Sequence, residues 1–290
     1  MSYVVDNAVI MAAGLSSRFA PLSYEKPKAL IEVRGEILIE RQIRQLKEAG
    51  IKDIFLVVGY KKEMFDYLKE KFGVHILDNT QYAVRNNNSS LYTAQKYLRN
   101  SYICSADNYF TVNPFERKVE ESYYSALYAD GPTKEWCLKY DEEDWITDVK
   151  IGGEDSWYMI GHAFFNQKFS KKFVEILCQE YEWEETRDKL WESIYMEHIQ
   201  ELPMKIRKFQ TSNIYEFDSL DELRLFDTKY LRNSGSQIMQ ELAGRLNCGE
   251  EELTCLKPLK DCNGQIEGVS FINDGERYEY IYTTKILTQI

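Results

Sequence analysis

Residues 8–21 read AVIMAAGLSSRFAP, and KPKAL follows at residues 26–30. The apolar run that opens the first stretch predicts a strand buried on both faces, and Gly14 begins a loop of small residues. Such a loop leaves successive backbone N–H groups able to converge on a polyphosphate. Arg18 and Lys28 supply two cations behind it. The loop has neither the P-loop nor the Rossmann glycine spacing, so both of those phosphate-binding modes are disfavoured.

Strand-like apolar runs alternate with amphipathic helical stretches over the first hundred residues, which is the pattern of a βαβ sheet. Residues 122–165 are β-rich and aromatic, and acidic turns are predicted at residues 141–144 and 152–155. Ser219 followed by Glu222 forms a capping box, which predicts that a helix starts there. The sequence therefore predicts an α/β fold with a Rossmann-like, mixed but mostly parallel sheet flanked by helices.

The linker-like stretch Asn233-Ser234-Gly235-Ser236 divides the chain. It predicts a main domain over residues 1–232 and a small α+β appendage over residues 233–290. The appendage shows one helical face and two strands joined at Asn273-Asp274-Gly275, a strong hairpin signal. We expect it to be a truncated remnant of a larger domain or an oligomerisation element, through which the chain could form a homodimer.

Composition excludes several classes of protein. The 290 residues are 44% hydrophobic and 29% charged, which excludes disorder and suits one large core. The 36 basic and 47 acidic residues give a net charge of −11 without a basic block, so no nucleic-acid partner is expected. No signal peptide or membrane-spanning run is visible, so no membrane insertion is expected. The six cysteines form no CxxC pair, which indicates reduced thiols and a cytoplasmic location.

The glycine loop and KPKAL together resemble the N-terminal signature of nucleotidyltransferases that join nucleoside triphosphates to sugar phosphates or phospho-alcohols. Over residues 7–230 the chain resembles, more narrowly, the bacterial CTP:phosphocholine cytidylyltransferases. The shared motifs are VGYKKEMFDYLKEKFGV at residues 58–74, Asn86-Asn87 before Ser90-Leu91, SADNY at residues 105–109, KEW at residues 134–136 and NIYEFDS at residues 213–219. Part of the appendage faintly resembles the start of a choline-kinase N-lobe, but it stops before any catalytic loop.

The resemblance implies the nucleotidyltransferase fold and direct attack of an acceptor phosphate on the α-phosphorus of CTP, giving CDP-choline and pyrophosphate. It assigns Lys28 to the α-phosphate and Arg18 to the β- and γ-phosphates. The residues placed around the nucleotide are Ala12, Ala13, Gly14, Ser16, Ser17, Asn86 and Asn87. No side-chain base is required, because a phosphate monoester is largely a dianion at neutral pH.

Acidic residues near strand ends predict a magnesium site. Asp107 lies just past a buried strand, where open α/β sheets bind their ligands. Glu216 and Asp218 are two apart on a short extended segment, so their side chains should point to the same side and share one ion. Carboxylates are the ligands that Mg²⁺ prefers, and the ion would stabilise charge on the reacting phosphates. The catalytic set expected here is Arg18, Lys28, Asp107 and Asp218.

A quaternary ammonium cannot donate a hydrogen bond, so choline must be recognised by aromatic faces and carboxylates. Trp136 and Trp191 fall at positions that resemble the choline pocket of the family, and Glu192 is the expected countercharge. Tyr82 is a further candidate. A Trp at helical spacing with Leu190 and Ile194 is also typical of a core residue, which is the alternative interpretation for Trp191.

Two other functions stay open at this stage. A nucleotidyltransferase of the same fold could act on a sugar 1-phosphate, on phosphoethanolamine or on an aminophosphonate. The family often has Asp where this chain has Glu192, which leaves the amine class unsettled. A regulatory nucleotide-binding module without catalysis is the second alternative, and the intact acidic and basic residues argue against it. Neither the base preference nor the oligomeric state follows from the sequence.

Overall fold

A computed structural model of the protein describes residues 2–262 and 264–290, so Met1 and Asn263 lie outside the described residues. Strands β1 to β17, in chain order, are Tyr3–Val4, Asn7–Ala12, Glu32–Val33, Glu36–Ile37, Asp53–Val58, His75–Asp78, Ser101–Ser105, Asn108–Phe110, Lys118–Val119, Tyr123–Tyr140, Ile146–Phe165, Lys205–Lys208, Ile214–Glu216, Thr254–Lys260, Ile266–Asn273, Glu276–Ile281 and Leu287–Gln289. Helices α1 to α9 are Leu22–Glu25, Leu38–Glu48, Tyr67–Phe72, Asn88–Ala94, Gln167–Glu180, Trp191–Glu197, Leu220–Phe226, Lys229–Arg232 and Gln237–Leu246.

Residue contacts divide the chain into two compact units. Unit 1 comprises Met1–Gly14 and Leu38–Glu216, and unit 2 comprises Leu15–Ile37 and Phe217–Ile290. We call Leu15–Ile37 the signature segment, because it contains most of the glycine loop and all of KPKAL. The domain boundary predicted between residues 232 and 233 lies inside unit 2 and stays a prediction.

Unit 1 is built on a seven-stranded sheet in the order β12-β10-β11-β7-β2-β5-β6. Strands β7, β2, β5 and β6 run parallel to one another, and β12 runs parallel to β10. The pairs β10–β11 and β11–β7 are antiparallel. The sheet is therefore mixed and mostly parallel, which confirms the fold class predicted from the sequence.

Helix α2 shows how the sequence pattern places a helix on this unit. Its side chains at Ile39, Ile43 and Leu46 recur at helical spacing and are fully buried. The chain leaves the helix at Gly50, whose φ of 81° belongs to the left-handed region that glycine enters without steric cost. The helix thereby buries one apolar face within unit 1.

Strands β10 and β11 form one long hairpin. The predicted acidic turn at residues 141–144 joins them, and the Asp141 carboxylate accepts the Trp145 N–H at 2.9 Å. The turn predicted at residues 152–155 is wrong, because that stretch lies within β11. Positive φ values at Gly152 and Asp155 accommodate shifts in register there without ending the pairing.

Unit 2 holds a four-stranded antiparallel sheet in the order β14-β15-β16-β17. The predicted hairpin is confirmed, since Asn273 pairs with Glu276 and both Asp274 and Gly275 have positive φ values. Helix α7 begins after Ser219, whose hydroxyl accepts the Glu222 N–H at 3.3 Å as the capping box predicts. None of the helices in the described residues is long and apolar enough to cross a membrane.

Candidate active site

The carboxyl ends of the parallel strands of unit 1 meet at one edge of the sheet. The Tyr60 N–H, just after β5, donates to the Ala13 carbonyl at 3.1 Å, and the Ala106 N–H donates to the Met11 carbonyl at 3.2 Å. These bonds bring the turn that contains Asp107 beside the end of β2. Asp107 therefore lies at the sheet edge where its placement after a buried strand predicted a ligand-binding group.

Glu216 is brought to the same turn by a short ladder. Strand β13 pairs antiparallel with β8, and Glu216 stands opposite Asn108, the residue after Asp107. The Gln45 amide and the Arg41 guanidinium of α2 donate to the Phe110 carbonyl at 3.2 and 2.9 Å, which fixes β8 from its other side. Carboxylate oxygens are the ligands that a hard divalent cation prefers, so Asp107 and Glu216 offer donors of the right chemical kind for Mg²⁺.

Asp218 lies beyond β13, in unit 2, where it forms an ion pair with Arg18. The Arg18 Nη1 and Asp218 Oδ2 atoms are 2.6 Å apart, and the Arg18 side chain is 73% exposed. A residue predicted to bind phosphate and a residue predicted to bind metal thus neutralise each other in this structure. The strand ends at Glu216, so the predicted same-side arrangement of Glu216 and Asp218 stays a prediction.

The glycine loop has a conformation suited to anions. Ser16 is left-handed, with φ 48° and ψ 46°, and the 3-10 turn Ser17–Phe19 follows it. The Ser16 carbonyl accepts the Phe19 N–H at 2.9 Å, which closes that turn. Residues that alternate between left-handed and right-handed backbone aim successive N–H groups into one concavity. The loop conformation therefore agrees with the predicted role of Ser16 and Ser17 near a polyphosphate.

Lys28 is held more firmly than Arg18. It begins the 3-10 turn Lys28–Leu30, in which the Leu30 N–H donates to the Pro27 carbonyl at 2.9 Å. The side chain is buried, and its Nζ atom lies 5.8 Å from the centre of the Phe19 ring. Proline fixes its own φ, so the residue before Lys28 also restricts the turn. The structure thus keeps this cation in a defined place within unit 2.

The residues predicted to bind the acceptor lie in unit 1, and they include a buried carboxylate, Glu192. Glu192 accepts the Tyr124 hydroxyl on Oε1 at 3.0 Å and the Asn87 amide on Oε2 at 3.1 Å. Burial raises the pKa of the Glu192 carboxyl to about 7, although the hydrogen bonds from Asn87 and Tyr124 act to lower it. We call Asn87, Tyr124, Trp191 and Glu192 the acceptor cluster.

The asparagines predicted to surround the nucleotide hold the chain segment that leads to the acceptor cluster. Asn86 donates its amide to the Asp188 carbonyl at 3.0 Å, and the Asn87 Oδ1 accepts the Trp191 N–H at 2.7 Å. Asn88, fully buried, donates to the Thr186 carbonyl at 2.9 Å. Three consecutive asparagines thus fix the entry to α6, and the nucleotide role of Asn86 and Asn87 stays a prediction.

Trp191 is a core side chain in this structure. Its ring is 1% exposed, stacks on Tyr124 at 5.5 Å, and meets the rings of Phe165 and Phe173 edge-on at 5.2 and 5.9 Å. This packing supports the alternative interpretation made from its helical spacing. A direct contact between this ring and choline would require the packing to open, so its role in the pocket stays a prediction that the burial disfavours.

The other two predicted pocket aromatics are half-buried. Trp136 lies on β10, opposite Ile151 of β11. Tyr82 lies over Gly59, just past the end of β5, where an added Cβ would come within 2.6 Å of its ring. Glycine is therefore required at residue 59 for the Tyr82 ring to occupy that position.

Two residues of the acceptor cluster region were not predicted. Tyr124 supplies a hydroxyl to Glu192 from β10, and Asn88 supplies an amide to the segment before α6. The run of three asparagines at residues 86–88 is a visible signal for the second. Tyr124 is one of 21 tyrosines, and no local pattern marks it.

Comparison with known proteins adds a family context. A family profile described as a MobA-like NTP transferase domain matches residues 8–131. The chain is 38% identical over 217 residues to a choline-phosphate cytidylyltransferase of Streptococcus pneumoniae, which covers 75% of this chain and 95% of that protein. It is 35% identical over 229 residues to a 2-aminoethylphosphonate cytidylyltransferase of Lancefieldella rimae, covering 78% of this chain and 93% of that protein.

A solved structure also shows the similarity to cytidylyltransferases. The structure of the CTP:phosphocholine cytidylyltransferase from Streptococcus pneumoniae superposes with a TM-score of 0.75 and 37% identity. The match covers 78% of this chain and 99% of the other. The similarity therefore extends over nearly the whole of that protein, while this chain carries additional sequence.

Proposed function

The chain belongs to the choline-phosphate cytidylyltransferase family of nucleotidyltransferases, and we propose that it transfers the cytidylyl group of CTP to phosphocholine, forming CDP-choline and pyrophosphate. Membership of this family makes it an enzyme rather than the regulatory module considered above. The observation that carries the choice of acceptor is the Glu192 carboxylate, which is buried among Tyr124, Trp191 and Asn87. A cationic acceptor needs such a countercharge, whereas a sugar phosphate does not.

The reaction requires little covalent chemistry from the protein. A phosphate oxygen of phosphocholine forms a bond to the α-phosphorus of CTP, and the bond from that phosphorus to the bridging oxygen of pyrophosphate breaks. The attacking phosphate is already a dianion near neutral pH, so no proton has to be removed. Catalysis then rests on positioning and on groups that stabilise charge at the phosphates.

Cations and the glycine loop would supply that stabilisation. Lys28, buried and held by its turn, is proposed to contact the α-phosphate, where charge develops during transfer. Arg18 is proposed to contact the β- and γ-phosphates, which leave as pyrophosphate. The backbone of the loop at Gly14, Ser16 and Ser17 would cradle the same phosphates, and Ala12 and Ala13 would precede them at the end of β2.

Nucleotidyltransferases typically use a divalent metal ion, and we propose Mg²⁺ held by Asp107, Glu216 and Asp218. When bound, the ion would act as a Lewis acid on the phosphate oxygens. Asp218 can serve only if its ion pair with Arg18 opens. An exposed pair of this kind contributes at most about 1 kcal/mol, so exchanging it for phosphate and metal contacts is favourable. Arg18 and Asp218 would then be released together.

The Lancefieldella relative supports a second candidate acceptor, an aminophosphonate, since that protein is named for 2-aminoethylphosphonate. A primary ammonium would also be attracted to Glu192, so the carboxylate alone does not separate the two acceptors. Trp136 and Tyr82 favour the quaternary ammonium, because methyl groups on nitrogen gain more from aromatic faces than from hydrogen bonds.

Product analysis tests the proposed function. Purified protein with CTP, phosphocholine and Mg²⁺ should yield CDP-choline and pyrophosphate in equal amounts, measured by ³¹P NMR and mass spectrometry. Chelation of the divalent ion should stop product formation, and adding excess Mg²⁺ should restore it. Hydrolysis of CTP to CMP without CDP-choline would contradict the proposal.

The cytoplasmic location and the homodimer through residues 233–290 remain part of the proposal. All six cysteines are unbridged thiols, which agrees with a reducing compartment. Light scattering coupled to gel filtration would measure the oligomeric state directly, and a monomeric mass at micromolar concentration would reject the dimer.

A further inference from the structure

The signature segment is bound within unit 2 by the C-terminal part of the chain. One of these contacts joins the carboxylate of Glu25, at the end of α1, to the backbone at the start of α9. The Glu25 Oε1 atom accepts the Ile238 N–H at 2.8 Å, and Oε2 accepts the Gln237 N–H at 3.2 Å. Ser236 caps the same helix, its hydroxyl accepting the Met239 N–H at 3.1 Å. A carboxylate from residue 25 therefore completes the cap of a helix that begins at residue 237.

A helix leaves its first N–H groups without intrahelical partners, and a carboxylate at this end is also favoured by the helix dipole. Glu25 satisfies two of those groups and Ser236 a third. The contact is specific in geometry, because the two carboxylate oxygens each take one donor. Helix α9 is itself anchored through Met239 and Leu242, which are fully buried. Glu25 is thus attached to a fixed element of unit 2.

Other contacts join the same two parts of the chain. Tyr24 stacks on Tyr282, with ring centres 4.1 Å apart. The Lys229 Nζ atom lies 2.7 Å from the Glu32 carboxylate, and the Arg34 N–H donates to the Asp227 carboxylate at 2.7 Å. The signature segment is therefore held before and after KPKAL.

The position of Glu25 in the sequence gives this attachment a consequence for the nucleotide site. Helix α1 lies between the 3-10 turn that carries Arg18 and the 3-10 turn that carries Lys28. Lys26 and Pro27 alone separate Glu25 from Lys28, and proline limits the freedom of that connection. Displacement of Glu25 would therefore displace the predicted phosphate-binding lysine.

We propose that Glu25 is a positioning residue for nucleotide binding, and that the region after residue 233 is a brace for the signature segment. The inference rests on the proposed function for the identity of the nucleotide, and it gives the appendage a role beyond the remnant or oligomerisation element expected from the sequence. The brace acts on the nucleotide side of the reaction, so it should change the KM for CTP and leave the KM for phosphocholine nearly unchanged.

Point variants of the full-length chain test this proposal. Glu25→Ala should raise the KM for CTP about tenfold, the scale of one lost charge-assisted contact. Glu25→Gln keeps the size of the side chain but replaces one of the two acceptor oxygens by an NH2 group. Its KM for CTP should therefore lie between those of wild type and Glu25→Ala. Glu267→Ala, which removes an exposed glutamate of β15, is the matched control and should leave both KM values unchanged.

A second variant tests the contact from the side of α9. Gln237→Pro removes one N–H donor at the first position of the helix, where proline is well tolerated. The preceding residue, Ser236, already has the extended conformation that proline favours, with φ −87° and ψ 127°. This variant should keep the fold, measured by circular dichroism, and should still raise the KM for CTP about threefold.

Hydrogen exchange separates failure of this proposal from failure of the proposed function. In Glu25→Ala the amides of Ile238 and of residues 15–37 should exchange faster than in wild type, a result that does not depend on turnover. CTP binding measured by calorimetry gives the same comparison without an acceptor.

Folded Glu25→Ala and Gln237→Pro proteins that bind CTP with wild-type affinity would overturn the brace. A wild type that binds CTP but does not transfer cytidylyl groups to phosphocholine would overturn only the proposed function.

Discussion

The acceptor cluster of unit 1 and the signature segment of unit 2 present their charged groups in opposite ways. Glu192 is 8% exposed, accepts two hydrogen bonds and sits beside a core tryptophan. Arg18 is largely exposed and has an ion pair with Asp218. A buried, hydrogen-bonded carboxylate is fixed before any ligand arrives, at a cost in desolvation. An exposed ion pair can exchange its partners at little cost.

This difference predicts which substitutions lower the stability of the fold and which lower only the rate of turnover. Groups of the acceptor cluster are part of the folded core, so altering them should affect both stability and acceptor affinity. The acidic groups proposed for the metal are half-buried at Asp107 and Asp218 and exposed at Glu216, and they do not belong to the apolar core. Altering them should remove turnover while the fold survives.

The largest expected effect is on the metal residues. Asp107→Ala and Asp218→Ala should each lower kcat by about 100-fold or more, the scale of deleting a preorganised electrostatic group. Their thermal midpoints should stay near that of wild type, and Asp130→Ala, an exposed aspartate at the β10–β11 hairpin, serves as the control. Steady-state kinetics at saturating Mg²⁺ measures the effect. Near-wild-type turnover in either variant would reject that residue as a metal ligand.

A smaller effect is expected when the buried charge is neutralised. Glu192→Gln should raise the KM for phosphocholine about tenfold and leave the KM for CTP unchanged, because the countercharge is lost but the side chain keeps its size. A variant with wild-type KM for phosphocholine would remove Glu192 from the acceptor site and leave it a structural residue.

The same variant has a predicted pH dependence in stability. The pKa of Glu192 in the folded chain, about 7, lies above the ordinary value of 4.5. Protonation of the Glu192 carboxyl therefore stabilises the folded state at low pH, and this stabilisation is lost as pH rises from 4.5 through about 7. Over this window the stability of Glu192→Gln should rise relative to wild type by about 3 kcal/mol. Urea unfolding of both proteins at pH 5 and pH 8 measures the difference, and parallel pH profiles would contradict the raised pKa.

The smallest expected effects distinguish the two tryptophans. Trp136→Leu should raise the KM for phosphocholine about two- to fivefold, the range for losing a cation–π contact at a partly exposed site, with little change in stability. Trp191→Leu should lower the free energy of unfolding by about 2 kcal/mol or more, because the ring fills the core beside Phe165 and Phe173. Unfolding curves and acceptor kinetics of both variants make the comparison. A stable Trp191→Leu protein with a raised KM would show that Trp191 contacts the acceptor after all.

Much of the fold could be predicted because its signals are local. The buried run before Gly14, the periodic face of α2 and the turn at Asp274 and Gly275 are each encoded within a few residues. The error at residues 152–155 has a local cause too, since glycine and acidic residues that often end a strand here accommodate an irregular pairing within a long one. Asp107 could be placed at the edge of the sheet by a general rule about strand ends.

The contacts that organise the site could not be predicted, because they join distant parts of the chain. Tyr124 and Glu192 are 68 positions apart, and Glu25 and Ile238 are 213 positions apart. Nothing within either partner's neighbourhood indicates the other. Helical spacing allowed both interpretations of Trp191, and only the packing of α6 against β10 and α5 shows the ring in the core.

Cytidylyl transfer to a quaternary ammonium acceptor can be tested with a single matrix of kcat/KM values. Pyrophosphate release should be measured for four nucleoside triphosphates against phosphocholine, phosphoethanolamine, 2-aminoethylphosphonate and glucose 1-phosphate. We expect the highest kcat/KM for CTP with phosphocholine, lower values for both primary-amine acceptors, and no activity with the sugar phosphate. A preference for glucose 1-phosphate, or for a primary amine over phosphocholine, would contradict the assigned acceptor.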